Sequence, residues 1–213
     1  MLVTANKYPS FDLSEIVTDN DLLYRAFQPL QPVKAGNIVP DFNLNNEYTL
    51  WQRFSHGAET HGPVSIRQLL NKPLVIAFYS RHWLNYGLQQ LIQLDALQAE
   101  IKAHGGNLLI VAAEKDEQLS KTAWENSLSL NFYYDVANKI AEEFRVYSDN
   151  DPVWNKFSGI DTNVPLLATY VINSSRQVVY DHIDTDFTGA FPVKGILSAV
   201  YESALIHNNK KSA

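Results

Sequence analysis

Apolar positions along this chain follow two periods, and the switches between them place the elements. Residues 74–79 (LVIAFY) and 108–113 (LLIVAA) are unbroken apolar runs of strand length, the mark of central strands covered on both faces. Between them Leu88, Leu91, Ile92, Leu94, Leu97 and Ile101 recur at three- and four-residue steps. That spacing predicts an amphipathic helix over 85–103, stopped by Gly105 and Gly106. A second helix is predicted over 117–128, a short strand over 132–134 and a short helix over 137–144, followed by a polar loop over 147–163. Two further strands, 168–172 and 177–183, flank the turn Asn173-Ser174-Ser175-Arg176 and read as an antiparallel hairpin. Pro192 opens a closing helix that is expected to run to Ile206, leaving 207–213 as a polar tail.

Ahead of this core the pattern is more broken. Leu13, Ile16, Val17, Leu22, Leu23 and Phe27 have helical spacing, and Pro29 and Pro32 end it. Residues 1–35 are therefore expected to form an extension of short helices. Phe42 and Leu44 alternate after Pro40, as in an edge strand. A hairpin strand is predicted over 48–54, a polar loop over 55–63, and a short helix over 66–70 capped by Ser65. Parallel strands joined by a helical crossover, then an antiparallel pair, make a mixed α/β sheet. The expected organisation is an extension (1–35), one domain (36–206) and a tail (207–213).

Composition narrows the function classes. With 213 residues, 46% hydrophobic and 19% charged, the chain suits one well-cored globular domain. A net charge of -6 without a Lys/Arg run argues against nucleic acid or an anionic membrane as partner. No apolar run approaches the ~20 residues of a membrane span. The first ten residues carry no apolar signal-peptide region, so a cytoplasmic location is expected. Cysteine is absent, which excludes a disulfide framework, a zinc–thiolate site, an iron–sulfur cluster and a cysteine nucleophile.

Other chemistry-bearing residues are few. His182, Asp184 and Asp186 alternate and share one strand face, which is the geometry of a hard-metal site; Asp residues before a turn and helix are also ordinary caps, and that reading is favoured. His56, Glu59 and His61 fall in one polar loop without a fourth zinc ligand or helical spacing, and read as solvated. Both glycine-rich nucleotide fingerprints are missing. Of Trp51, Trp83, Trp124 and Trp154, the last, between Pro152 and Phe157, is the best candidate for an exposed anchor.

Residues 78–87 read Phe78-Tyr79-Ser80-Arg81-His82-Trp83-Leu84-Asn85-Tyr86-Gly87. They resemble the F-Y-R-G-G-W-C-P-Y-C segment of the alkyl hydroperoxide reductase/thiol-specific antioxidant (AhpC/TSA) family, on the peroxiredoxin branch. Three other stretches keep the same order: Asp41-Phe42-Asn43-Leu44 after Pro40, residues 132–146 (FYYDVANKIAEEFRV) and residues 168–187 (ATYVINSSRQVVYDHIDTDF). The likeness covers roughly residues 36–200. It implies an α/β, thioredoxin-like (peroxiredoxin-type) fold, with three α/β/α layers, a central mixed sheet and the N-terminal extension. In this register Leu84 stands in place of the peroxide-attacking cysteine, Gly87 in place of the second cysteine, and Leu167 in place of the facing cis-proline. A non-proline cis bond costs about 3–4 kcal/mol, so a trans bond is expected before Leu167.

The resemblance therefore implies an oxidoreductase frame without its chemistry. Peroxide reduction needs a thiolate, and leucine has neither a lone pair nor an ionisable proton. The expected protein is a cysteine-less binding or scaffold pseudoenzyme. It needs no cofactor, its partner is an unidentified protein or small molecule, and the habits of the family suggest a homodimer. The alternatives are a label as antioxidant oxidoreductase that records descent alone, and an enzyme of another class using a remodelled pocket. The candidate binding residues are Arg81, His82, Trp83, Asn85 and Tyr86 around a helix N-terminus that could hold an anion. The plainer expectation leaves Arg81 and His82 in solvent and has Leu84 plugging the former pocket.

Overall fold

A computed structural model describes residues 29–44, 64–115, 117–185, 187 and 189–211. The predicted helices of 1–28, the strand over 48–54 and the loop over 55–63 lie outside the described residues, as does Trp51.

A two-stranded antiparallel ribbon, β1 (Asn43–Leu44) with β2 (Val64–Ser65), enters the fold and runs into α1 (Ile66–Leu69). Ser65 stands at the N-cap of α1, and its backbone N–H donates to Gln68 Oε1 at 2.8 Å. Then come β3 (Leu74–Tyr79), a 3-10 turn (Arg81–Trp83), α2 (Leu84–Ala103), β4 (Asn107–Ala112), α3 (Glu117–Glu125), β5 (Phe132–Tyr134) and α4 (Lys139–Glu143). A second 3-10 turn (Val153–Asn155) lies in the long loop before β6 (Ala168–Ile172), β7 (Val178–Ile183) and α5 (Val193–Lys211). The five-stranded sheet has the order β5-β4-β3-β6-β7; β3, β4 and β5 are parallel, while β6 runs antiparallel to β3 and β7 antiparallel to β6. This is the thioredoxin-type mixed sheet that the pattern predicts.

The strands read as continuous apolar runs because both faces are covered. Leu74, Ile76 and Phe78 of β3 join one core with Leu109 and Val111 of β4, Ile66 and Leu69 of α1, and Ile140 and Ala141 of α4. Val75, Ala77 and Tyr79 join the opposite core with Leu91, Leu94, Leu97 and Ile101 of α2, Leu119 of α3, and Ile196 and Val200 of α5. Period-2 alternation in the sheet and period-3.6 spacing in the helices meet in three layers.

Several boundaries differ from expectation. Helix α5 does not stop at Ile206 but continues to Lys211; helical geometry tolerates polar residues where nothing breaks the chain. The link between β3 and α2 is a 3-10 turn whose start is capped by Ser80, the Oγ accepting from His82 N–H at 3.1 Å. On α2, Ile92 is exposed while Gln90 and Gln98 are buried. The buried row runs through 90, 94, 97, 98 and 101, which share a face, whereas Ile92 points away from it. The chain leaves α2 at Gly105, whose φ of +85° is the left-handed stop expected there. Among the described residues, no helix is long and apolar enough to cross a membrane.

Candidate functional site

The corner between β3 and α2 is built by burying what looks like loop. Ser80 is fully buried, and its Oγ donates to Glu114 Oε1 at 2.5 Å while Arg81 N–H donates to Glu114 Oε2 at 3.2 Å. Glu114 follows β4, so this carboxylate ties the ends of two neighbouring strands together. Trp83 is buried as well, with Nε1 donating to the Pro165 carbonyl at 2.7 Å. Its ring is edge-on to Phe157 at 5.1 Å and tilted against Phe187 at 5.3 Å. Trp83 therefore pins the α2 entry to the 165–167 segment and cannot touch a ligand. It is the one of the five candidate binding residues that the structure removes from that role.

Leu84 does not plug a pocket. It is 68% exposed and sits at φ 51°, ψ -127°, a backbone region that favours glycine and strains a branched side chain. The plug expectation fails because a chain turning at positive φ into α2 swings the side chain outward. Gly87 faces the opposite way and is buried; a Cβ there would lie 3.0 Å from Tyr79 Cε2, 3.1 Å from the Ser80 carbonyl oxygen and 3.1 Å from Trp83 Cβ. On that side the first turn has no room for a methyl group without movement. Leu167 is buried, and among the described residues every peptide bond is trans, the one before Leu167 included. Its carbonyl accepts from Asp184 N–H at 2.9 Å.

Arg81 and His82 lie on the short 3-10 turn, Arg81 exposed and His82 half-buried. Asn85 and Tyr86 instead open onto the other side of α2, where a cleft of about 310 Å³ separates the helix from the end of β7 and the segment after it. Gln89, Gln90 and Gln93 continue the helical wall, and His182 and Asp184 face them. Tyr86 stacks on Phe187 with ring centroids 4.4 Å apart and 26° between planes. Phe187 itself has φ 56°, so two strained non-glycine residues, Leu84 and Phe187, stand at this corner. Asp184 Oδ1 accepts from Phe187 N–H, three residues on, at 2.9 Å, which ties Phe187 to the end of β7.

His182 and Asp184 thus share one face, as their alternation predicts, while Asp186 lies outside the described residues. Among the described residues no group of three or more His, Cys, Asp or Glu side chains could hold a metal ion. His56, Glu59 and His61 lie outside the described residues. Trp154 is about half exposed and Trp124 more so.

Sequence reasoning missed Gln90. It is 7% exposed, its Nε2 donates to Thr169 Oγ1 of β6 at 3.2 Å, and its Oε1 is buried without a partner. The signal was present: Gln90 stands four residues before Leu94 and seven before Leu97, on the row of buried leucines.

The frame has known counterparts. The AhpC/TSA family model matches residues 35–181. Peroxiredoxin Bcp of Escherichia coli is 22% identical over 158 residues, which span 74% of this chain and 89% of that protein. Among solved structures, peroxidoxin BcpB of Mycobacterium tuberculosis superposes with a TM-score of 0.53 at 17% identity, over 83% of this chain and 97% of that one. Mycobacterium tuberculosis AhpC superposes with a TM-score of 0.57 at 10% identity, over 80% and 92% of the two chains.

Proposed function

The chain belongs to the AhpC/TSA family, and from that premise we propose that it is a non-catalytic member that binds a partner or small molecule and performs neither thiol peroxidase nor disulfide chemistry. The observation that carries this reading is Leu84, exposed at the start of α2 where the resemblance puts the attacking cysteine, in a chain with no cysteine anywhere. Thiolate attack on an O–O bond transfers two electrons from sulfur, and hydroxyl groups are poor reductants of peroxide. Ser80 offers no substitute, since its oxygen is buried and hydrogen-bonded to Glu114.

The second-cysteine position supports the same reading. Gly87 is enclosed by Tyr79, Ser80 and Trp83, so the first turn of α2 packs closely around a glycine. The binding surface on this reading is the outer side of that turn, with Asn85 and Tyr86, and the setting is cytoplasmic. The test is a peroxide-consumption assay on the full chain with hydrogen peroxide and dithiothreitol, and then with a thioredoxin system as reductant. The expected rate equals the protein-free background. Turnover proportional to enzyme concentration would overturn the proposal.

A further inference from the structure

The geometry points to the cleft between α2 and the end of β7 as a site for a small, neutral, polyhydroxylated ligand: a single sugar ring, free or at the end of a glycan. This inference rests on the binding role proposed above and names the ligand class for it.

Gln90 supplies the first argument. A buried amide oxygen without a donor costs about 1–3 kcal/mol, and cores normally avoid it. Here the side chain lines the cleft, one end held by Thr169 and the other unpaired. If the amide is turned over, its nitrogen is the orphan instead, so one polar atom stays unmatched in either orientation. A hydroxyl group both donates and accepts, and satisfies the site in both cases once the amide turns toward the cleft, since its unpaired atom is enclosed in the free protein.

The rest of the wall selects the ligand's chemistry. Asn85, Gln89 and Gln93 on the same helix add amides, each offering a donor and an acceptor. Such a set matches hydroxyl groups spaced around a ring. Among the described residues no lysine or arginine lines the cleft and His182 is its one basic side chain, so phosphate and carboxylate ligands find no fixed counter-charge. Among the described lining residues the one carboxylate, Asp184, already accepts a backbone N–H through Oδ1, which leaves Oδ2 as an acceptor for a hydroxyl. Tyr86 and Phe187 supply an aromatic wall on which the C–H face of a sugar can rest, and Tyr86 is still 54% exposed. A volume of about 310 Å³ is at the small end of ligand sites and holds one ring rather than a dinucleotide.

The test is isothermal titration calorimetry of the full chain with D-glucose, D-galactose, D-mannose and N-acetylglucosamine, and with maltohexaose and chitohexaose. Inorganic phosphate and putrescine serve as comparison ligands. At least one sugar is expected to bind, and Gln90→Leu, which keeps the packing volume, is expected to weaken it about tenfold. Gln89→Ala, on the exposed side, gives a second reading if Gln90→Leu does not fold; it too is expected to weaken the same sugar. Binding of a monosaccharide identifies a free sugar as the source, and binding of an oligosaccharide alone identifies a glycan end. Failure of every sugar to bind, binding only of phosphate or putrescine, or sugar affinity unchanged in both variants overturns the inference. Peroxide turnover would sink the non-catalytic reading instead, so the two failures are distinguishable.

Discussion

The middle of the sheet and the corner where α2 begins obey different rules. Along β3 each residue is buried and alternates strictly between two apolar cores, so local preference and global packing agree. Directly after it, between residues 80 and 90, the chain buries a serine and a tryptophan, exposes a leucine at positive φ, and buries a half-satisfied glutamine. Sequences break local rules mainly where something other than stability constrained them. The corner that breaks them here is the one where the resemblance places the family's nucleophile. A corner without a thiol is therefore not packed here as ordinary core.

The contrast can be broken most severely from the sheet side. Phe78 is fully buried, in edge contact with Phe144 at 5.1 Å and Tyr170 at 6.2 Å. Phe78→Ala is expected to cost about 3–5 kcal/mol, the usual range for emptying a packed aromatic site. Urea denaturation should show it as a large drop in midpoint with unchanged slope. A loss under ~1 kcal/mol would mean that the core is far looser than its alternation indicates.

At the corner, Trp83→Phe probes whether the buried indole is a structural pin. The ring contacts with Phe157 and Phe187 are largely kept, while the Pro165 carbonyl loses its donor. An unmatched buried carbonyl costs about 1–3 kcal/mol. The same denaturation experiment should therefore give a smaller loss than Phe78→Ala. Equal losses would erase the distinction between a packed interior and a corner held by one directed bond.

How much of this was legible follows from the same division. The strands β3, β4, β5 and β6, the helix α2 and the hairpin turn at Asn173 were readable because each has one dominant period or turn signal. The turn is closed by Asn173 Oδ1, which accepts from Ser175 and Gln177 N–H at 2.9 and 3.0 Å. The alternation of His182 and Asp184 correctly put both on one face. Trp83 was grouped with the candidate binding residues because it stands beside the helix N-terminus, and only the tertiary partner Pro165 explains its burial. Leu84 misled for another reason: hydrophobicity suggests a plug, but backbone conformation decides where a side chain points. Gln90 was hidden by its own polarity, although its position on the helix already placed it inside.

The smallest effect is also the sharpest, because its sign differs between the two regions. In the sheet, deleting a side chain destabilises; at Leu84 complete deletion should do the reverse. A leucine held at φ 51°, ψ -127° stores about 1–3 kcal/mol of backbone strain. Glycine relieves it, at a cost of about 0.5–1 kcal/mol in unfolded-chain entropy. Little apolar contact is lost, since the side chain is 68% exposed. Leu84→Gly is therefore expected to stabilise by about 1 kcal/mol, which for a chain of this size raises Tm by about 2–4 °C. Leu84→Ala keeps the Cβ and with it the strain, so its Tm should stay near the parent value or fall slightly. A calorimetric scan of the two variants separates backbone from burial. If both lose several degrees, Leu84 is packed in solution, and the corner follows the same rule as the sheet after all.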